Sequence, residues 1–307
     1  MSAFGRAIVV AFAALAPWAA QAWDAAGHML VGQIAWEQMT PAARVRAAEL
    51  VKTLDARFIE GQSYNFVTAG CWMDDMRALG RDYPWSKLHY VTIPWTATGL
   101  PAEIPPAPNV VTGIEDTIRT LRDPQATPAQ RTEALGMLTH FLGDIHQPLH
   151  TTDRNNDRGG NALLISGVPF SDLMSKQGRN LHTFWDKAFR FDGEGPAIVE
   201  VWAGPSTAKR PSGPGEGMIA EQAKKISARF PREKLPELAG ATDGAAWAKE
   251  SHLVGCLHAY PAGEPSDPME IRVLTPAFAK AAQEIANRRI ALAGYRLGDL
   301  LNRVLAP

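Results

Sequence analysis

Four side chains able to bind a metal fall within eleven residues, in the run His140-x-x-x-Asp144-x-His146-x-Pro148-x-His150. His140 and Asp144 are four apart in a stretch of helical periodicity, so both project from one face. Pro148 lacks an N–H and clashes with the turn before it, so the helix ends ahead of it and His150 follows just beyond. His182 and Asp186 repeat the four-residue spacing further on, with Asn180 placed to cap a helix over about 180–189. One such His/Asp pair is more often a surface hydrogen bond than a metal site. Two of them, with His150 and a Gly159-Gly160-Asn161 turn between, require a fold that gathers imidazoles and carboxylates from separate helices. That ligand set is typical of zinc.

The rest of the chain reads as mostly helical. Met29, Ile34, Ala35 and Met39 suit an amphipathic helix that begins near Ala25 and stops before Pro41. Further helices are predicted over 67–79, 111–121, 128–145 and 276–304, the last with Phe278, Ala282, Ile285 and Leu292 on one stripe. The clearest strand is 88–93, short, β-branched or aromatic, and closed by Pro94. Four prolines make 100–109 a loop, 153–160 is a polar turn, and 203–217 is a Pro/Gly/Ser loop. With no repeat and no linker, the expectation is a single all-α domain carrying a short β-hairpin or strand segment.

The first 22 residues read as a cleaved signal peptide: Arg6, an apolar run over 7–16, then Ala20-Gln21-Ala22 as the cleavage pattern. The mature chain, 23–307, would therefore be periplasmic or secreted, with no membrane span once the leader is removed. Two cysteines, Cys71 and Cys256, leave a disulfide open as an alternative to two small buried side chains. No Asn-x-Ser/Thr acceptor occurs. The formal charge of -1 argues against a duplex binder that relies on many Lys and Arg contacts, but not against an enzyme that holds phosphate through metals.

Ordered pieces along the whole mature chain carry a resemblance. They are Trp23 with Gly27-His28, Trp72-Met73-Asp74 with Arg77, Leu88-His89-Tyr90-Val91, the run 139–150, Gly159-Gly160-Asn161, and 180–186. Trp247-Ala248-Lys249-Glu250-Ser251 and Ala293-Gly294-Tyr295-Arg296-Leu297 complete them. The chain resembles the S1/P1 nucleases, with the zinc-dependent phospholipases C as more distant relatives of the same fold. The resemblance implies three zinc ions. Asp74, His89, His140 and Asp144 would hold the first. His28, a bridging Asp144, and the amino nitrogen and carbonyl oxygen of Trp23 would hold the second, and His150, His182 and Asp186 the third. A backbone amine ligates only as a free chain end, so leader cleavage after Ala22 would complete the second site.

The activity implied is hydrolysis of single-stranded DNA and RNA to 5′-phosphorylated products by a monomer, with a hydroxide held between two zinc ions as nucleophile. Arg77 occupies the position that steadies the phosphate, Asp74 helps orient the nucleophile, and Tyr90 matches an aromatic that stacks on a base. Fungal and plant members place a carboxylate where this chain has Thr92, which puts base preference and 3′-nucleotidase activity in question. A zinc phospholipase C and a non-catalytic zinc-binding protein are the competing readings. His146 is expected to support the ligands, His252 and His258 to be packing or surface residues, and Asp75 to face solvent.

Overall fold

Asp24 opens the first helix by accepting the backbone N–H groups of Ala26 and Gly27 at 3.1 and 3.2 Å, leaving α1 to run Ala25–Gln38. Every residue of α1 from Ala26 to Ala35 is buried, so this helix is enclosed on all sides. The computed structural model describes residues 23–57, 63–167, 179–190, 213–240, 242–263 and 270–306. The expected leader over 1–22 and most of the expected 203–217 loop lie outside the described residues.

Around α1 stand α2 (Pro41–Val51), α3 (Phe66–Ala69), α4 (Trp72–Asp75), α5 (Val110–Arg122) and α6 (Pro128–Asp144). Then follow α7 (Leu181–Lys187), α8 (Gly217–Arg229), α9 (Glu237–Gly240), α10 (Gly244–Val254) and α11 (Pro276–Val304). The closest approach is between α1 and α11: a Cβ on Gly294 would stand 2.5 Å from Ile34 Cβ, and one on Gly298 2.7 Å from Gln38 Cβ. A larger residue at either place would push the two helices apart. Trp72, Trp185 and Trp247 are all buried, as packing alone would require.

The predicted helices at 25–40, 111–121, 128–145 and 276–304 match α1, α5, α6 and α11 within a residue or two. Asn180 caps α7 through the Thr183 N–H at 2.8 Å. Three expectations need correction. The helix expected over 67–79 is broken into α3, α4 and a 3-10 turn Met76–Asp82, since the Gly70 carbonyl is taken by His140 Nδ1 at 2.7 Å and Gly80 adopts φ +62°. The strand expected over 88–93 is a 3-10 turn, Ser86–His89, followed by extended chain. It meets residues 150–153 through Val91 N–H to His150 O and Asp153 N–H to Ile93 O, with one parallel bridge at Pro94 and Asp153. Among the described residues the strands are β1 (Ile165–Ser166) and β2 (Arg272–Val273), which pair in parallel, so no hairpin joins them. No disulfide links Cys71 and Cys256. The first thiol lies 3.5 Å from Ala25 O and the second 3.4 Å from His252 Nε2.

Among the described residues no helix is long and apolar enough to cross a membrane.

Candidate metal centre

Helix α6 delivers two ligand-type side chains because its last turns are wholly buried, from Leu138 to Asp144. The Thr127–Gln130 capping box and Pro128 fix its start. A clamp fixes its far end. Arg296 on α11 binds Glu250 on α10 at 2.7 Å and donates to His146 Nε2 at 2.8 Å. Arg289 pairs with the same Glu250 and donates to the His146 carbonyl at 3.1 Å. Burial works to raise the Glu250 carboxyl, but the two guanidinium groups overcome it and hold its pKa below the ordinary value. His146 itself is kept neutral by burial and by both arginines. Among the described residues it shows no hydrogen bond to the ligand groups, and it supports them through the backbone it anchors.

Three groups of side chains converge. The first joins Asp74, His89 and His140; the second His28, His140 and Asp144; the third His150, His182 and Asp186. The nine site residues expected as ligands include eight side chains, and all eight are here. Trp23, the ninth, is fully buried and heads α1 beside His28, since a Cβ on Gly143 would lie 2.6 Å from His28 Nδ1 and 3.5 Å from Trp23 Cδ1. The Asp24 N–H, next along, binds the Asp186 carbonyl at 3.1 Å and ties the start of α1 to the third group.

The Asp144 carboxylate faces two ways. Its Oδ2 lies 3.0 Å from His89 Nδ1 and 3.1 Å from His140 Nε2, while Oδ1 lies 3.4 Å from His28 Nε2. Backbone carbonyls set the histidine orientations. His140 Nδ1 donates to Gly70 O at 2.7 Å, His150 Nδ1 to His89 O at 2.6 Å, and His182 Nδ1 to Gly159 O at 2.7 Å. A carbonyl only accepts, so each Nδ1 carries a proton and each ring turns its Nε2 inward. Burial works to lower the His140 pKa, but the Asp144 and Asp74 carboxylates overcome it and hold it above the ordinary value.

This arrangement fits metal binding. The Nε2 atoms of His150 and His182 stand 3.1 Å apart. Tetrahedral zinc with nitrogens about 2.0–2.1 Å away places two of them about 3.3 Å apart. Both ring nitrogens of His28 and the Oδ1 atoms of Asp74 and Asp144 are buried with no hydrogen-bond partner among the described residues. Buried polar atoms without partners are costly, about 1–3 kcal/mol each, unless a cation completes them. Burial holds His28 and His89 neutral, the form that ligates. Burial also pushes the Asp144 carboxyl up to about 6 despite the pull of His140, and pushes Asp186 well above the usual carboxylate range despite the Gln147 hydrogen bond. Carboxyls so displaced are awaiting positive charge.

The third group borders a cleft of about 330 Å³, lined by His150 and His182 together with Arg77, Tyr90, Thr92, Arg158 and Asn161. Arg77 Nε is 2.9 Å from Asp74 Oδ1, near enough to pair charges but not aligned as a hydrogen bond. Tyr90 stands on the rim, 36% exposed, and Thr92 is exposed beside it. Asp75 does not face solvent: it is buried and accepts the Tyr64 hydroxyl at 2.6 Å, because the break between α3 and α4 turns it inward. His252 is buried, where its Nδ1 meets the Thr151 carbonyl at 3.0 Å just beyond His150, and His258 is exposed.

Two contributors escaped the sequence reading. Tyr83 hydrogen-bonds His89 Nε2, leaving Nδ1 to face Asp144. Gln147 donates to Asp186 Oδ1 at 2.8 Å and accepts the Leu149 N–H at 2.6 Å, joining the α6 end to the third group. A fully buried glutamine inside the ligand-dense run was the available signal for the second; nothing flagged the first.

Residues 23–306 match the family model for S1/P1 Nuclease. Nuclease PA3 of Penicillium sp and Nuclease P1 of Penicillium citrinum are each 22% identical over 299 residues, covering 92% of this chain and 97% of theirs. Endonuclease 2 of Arabidopsis thaliana is 26% identical over 294 residues, covering 92% of this chain and 90% of its own. A helical fold with three imidazole–carboxylate groups, matched over residues 23–306, places the chain in the S1/P1 nuclease family, hydrolases that act on ester bonds.

Proposed function

We propose that this nuclease hydrolyses single-stranded DNA and RNA to 5′-phosphorylated products, as an exported monomer with three resident zinc ions. The convergence of His150, His182 and Asp186 on one point, with the two Nε2 atoms 3.1 Å apart, carries the reading. Asp74, His89, His140 and Asp144 would hold one ion and His150, His182 and Asp186 another. His28 and Asp144 would hold the third with the amino nitrogen and carbonyl oxygen of Trp23. Bound there, zinc supplies Lewis acidity, lowering the pKa of water and offsetting phosphoryl charge.

The chain's own groups do the rest. Arg77 offers a planar donor fork to a phosphate in the cleft, with Asp74 holding it in place at 2.9 Å. Asp74 also has a second carboxylate oxygen with which to accept a proton from attacking water. Tyr90, exposed on the rim, gives an unstacked base a platform worth about 1–3 kcal/mol, which favours single strands. Thr92 can hydrogen-bond a base edge either way but cannot pair with it as a charged carboxylate would, so base preference is weak and mononucleotides are poor 3′-nucleotidase substrates. Cleavage after Ala22 on export to the periplasm or medium frees the Trp23 amine.

Metal analysis of the mature protein, paired with product mapping on an unstructured single-stranded oligonucleotide, tests the proposal. Three zinc ions per chain and 5′-phosphate ends are expected. Turnover of phosphatidylcholine with none of nucleic acid would make it a phospholipase C, and bound zinc with no hydrolysis a metal carrier.

A further inference from the structure

Arg158 lines the cleft together with His150, His182 and Arg77. It is exposed and has no ion pair or ring contact among the described residues, unlike Arg77, which pairs with Asp74, and Arg154, whose guanidinium lies over the Trp95 and Tyr260 rings. Its backbone is left-handed, φ +56°, in a turn that also holds Asn155 and Asn156 at positive φ. Asparagine tolerates that region; a long side chain pays about 1–2 kcal/mol for it. The turn is nonetheless well fixed. The Arg158 N–H donates to Asp153 Oδ1 at 3.2 Å, and its carbonyl accepts Asn161 Nδ2 at 2.8 Å. A Cβ on neighbouring Gly159 would stand 2.4 Å from Leu149 O, so the turn lies hard against the segment carrying His150. The two acids of this turn are engaged within it: Asp153 accepts the Arg158 N–H, and Asp157 accepts the Arg154 N–H and the Tyr260 hydroxyl. The strained position therefore aims an unpartnered cation at the cleft mouth, in a chain whose net charge of -1 gives no general attraction for phosphate.

We infer that Arg158 grips a phosphate flanking the scissile one, so that the cleft selects polynucleotides over substrates with a single phosphodiester. This rests on the nuclease reading above. With the scissile phosphate held at Arg77 and the ligand groups, a strand leaving past the third group brings its next phosphate to the lip where Arg158 stands. The contact is exposed and charge-dominated, so it acts on binding rather than on the chemical step and weakens with salt.

The test compares kcat/KM on an unstructured oligonucleotide and on a dinucleotide monophosphate, across a range of salt, for the zinc-loaded protein, Arg158→Asn and Arg158→Lys. Asparagine suits the left-handed turn, so Arg158→Asn should fold normally. Its oligonucleotide-to-dinucleotide ratio should fall about fivefold at low salt, mostly through KM, for one exposed phosphate contact. The slope of log KM against log salt on the oligonucleotide should become shallower by about 0.7, and Arg158→Lys should keep most of it. An unchanged ratio or slope in Arg158→Asn, or a loss in Arg158→Lys equal to that in Arg158→Asn, overturns the inference while leaving the nuclease reading intact. Failure of the unaltered protein to cleave either substrate overturns both.

Discussion

Gly143 sits in α6 where that helix crosses the start of α1, and one added methyl there tests how tightly the second ligand group is built. The new Cβ would stand 2.6 Å from His28 Nδ1 and 2.8 Å from Cε1, whereas ordinary contact begins at 3.4 Å. The ring would have to retreat by about 0.8 Å, the difference between 3.4 and 2.6 Å. It has nowhere to go: it is fully buried and stacked on His140 with centroids 4.0 Å apart. A rigid obstruction belongs near the upper end of the ~1–3 kcal/mol cost of overpacking. Replacing a helical glycine by alanine returns up to ~1 kcal/mol, so the net loss for Gly143→Ala is about 2 kcal/mol. The displacement also exceeds the ~0.2 Å tolerance of a zinc–ligand bond, so one zinc ion should be lost. Gly136→Ala in the same helix is the control. Its Cβ would meet Leu54 methyl carbons at 3.2 and 3.3 Å and Trp72 at 3.3 Å, and the methyls can shift. That variant should lie between neutral and ~1 kcal/mol more stable. Urea unfolding in chelator gives the structural cost, and zinc per chain by mass spectrometry gives the ligation. Full zinc content with unchanged stability in Gly143→Ala, or an equal cost in Gly136→Ala, would refute the reasoning.

Three other outcomes can be checked with the same measurements. Gln147→Leu leaves the Leu149 N–H without its acceptor and removes the donor to Asp186, so it should cost about 1–3 kcal/mol and weaken zinc retention in the third group alone; loss from the other groups would contradict it. Asp144→Asn should release two zinc ions together, because that carboxylate faces both His89 and His28; stepwise loss of one would count against a shared ligand. Glu250→Gln leaves two buried guanidinium groups short of an anion and should cost about 3–5 kcal/mol. Because the folded Glu250 carboxyl titrates below its ordinary value of 4.5, its contribution is fully present above that pH and fades as pH falls through the folded value. The unaltered protein should thus lose stability below 4.5 more steeply than the variant, and parallel acid profiles would show the clamp to be unimportant.

Much of the centre was legible because ligand spacing is local. His140 with Asp144, and His182 with Asp186, each lie on one helix, and helical geometry alone aligns them. The bounds of α1, α6 and α11 were legible from their prolines and caps. α2 went unread since it buries only Ala43, Ala47 and Val51, a stripe too small to register as periodic. The broken helix after Phe66 was misread for a different reason. What interrupts it is a carbonyl claimed by His140, seventy positions away, and no local pattern records such a debt. The arginine clamp belongs to the same class, its partners being chosen by tertiary packing rather than by neighbours in sequence, while Tyr83 reaches His89 across a 3-10 turn where a strand was expected.

The clamp on His146 has a consequence for how the enzyme is made. Arg296 reaches back 150 positions to hold the end of α6, and Arg289 reaches back 143. During synthesis, every ligand-type side chain from His28 to Asp186 emerges before either guanidinium exists. Until α11 docks, the segment bearing His140, Asp144 and His150 lacks its anchor. A nascent or prematurely terminated chain would therefore be a poor nuclease.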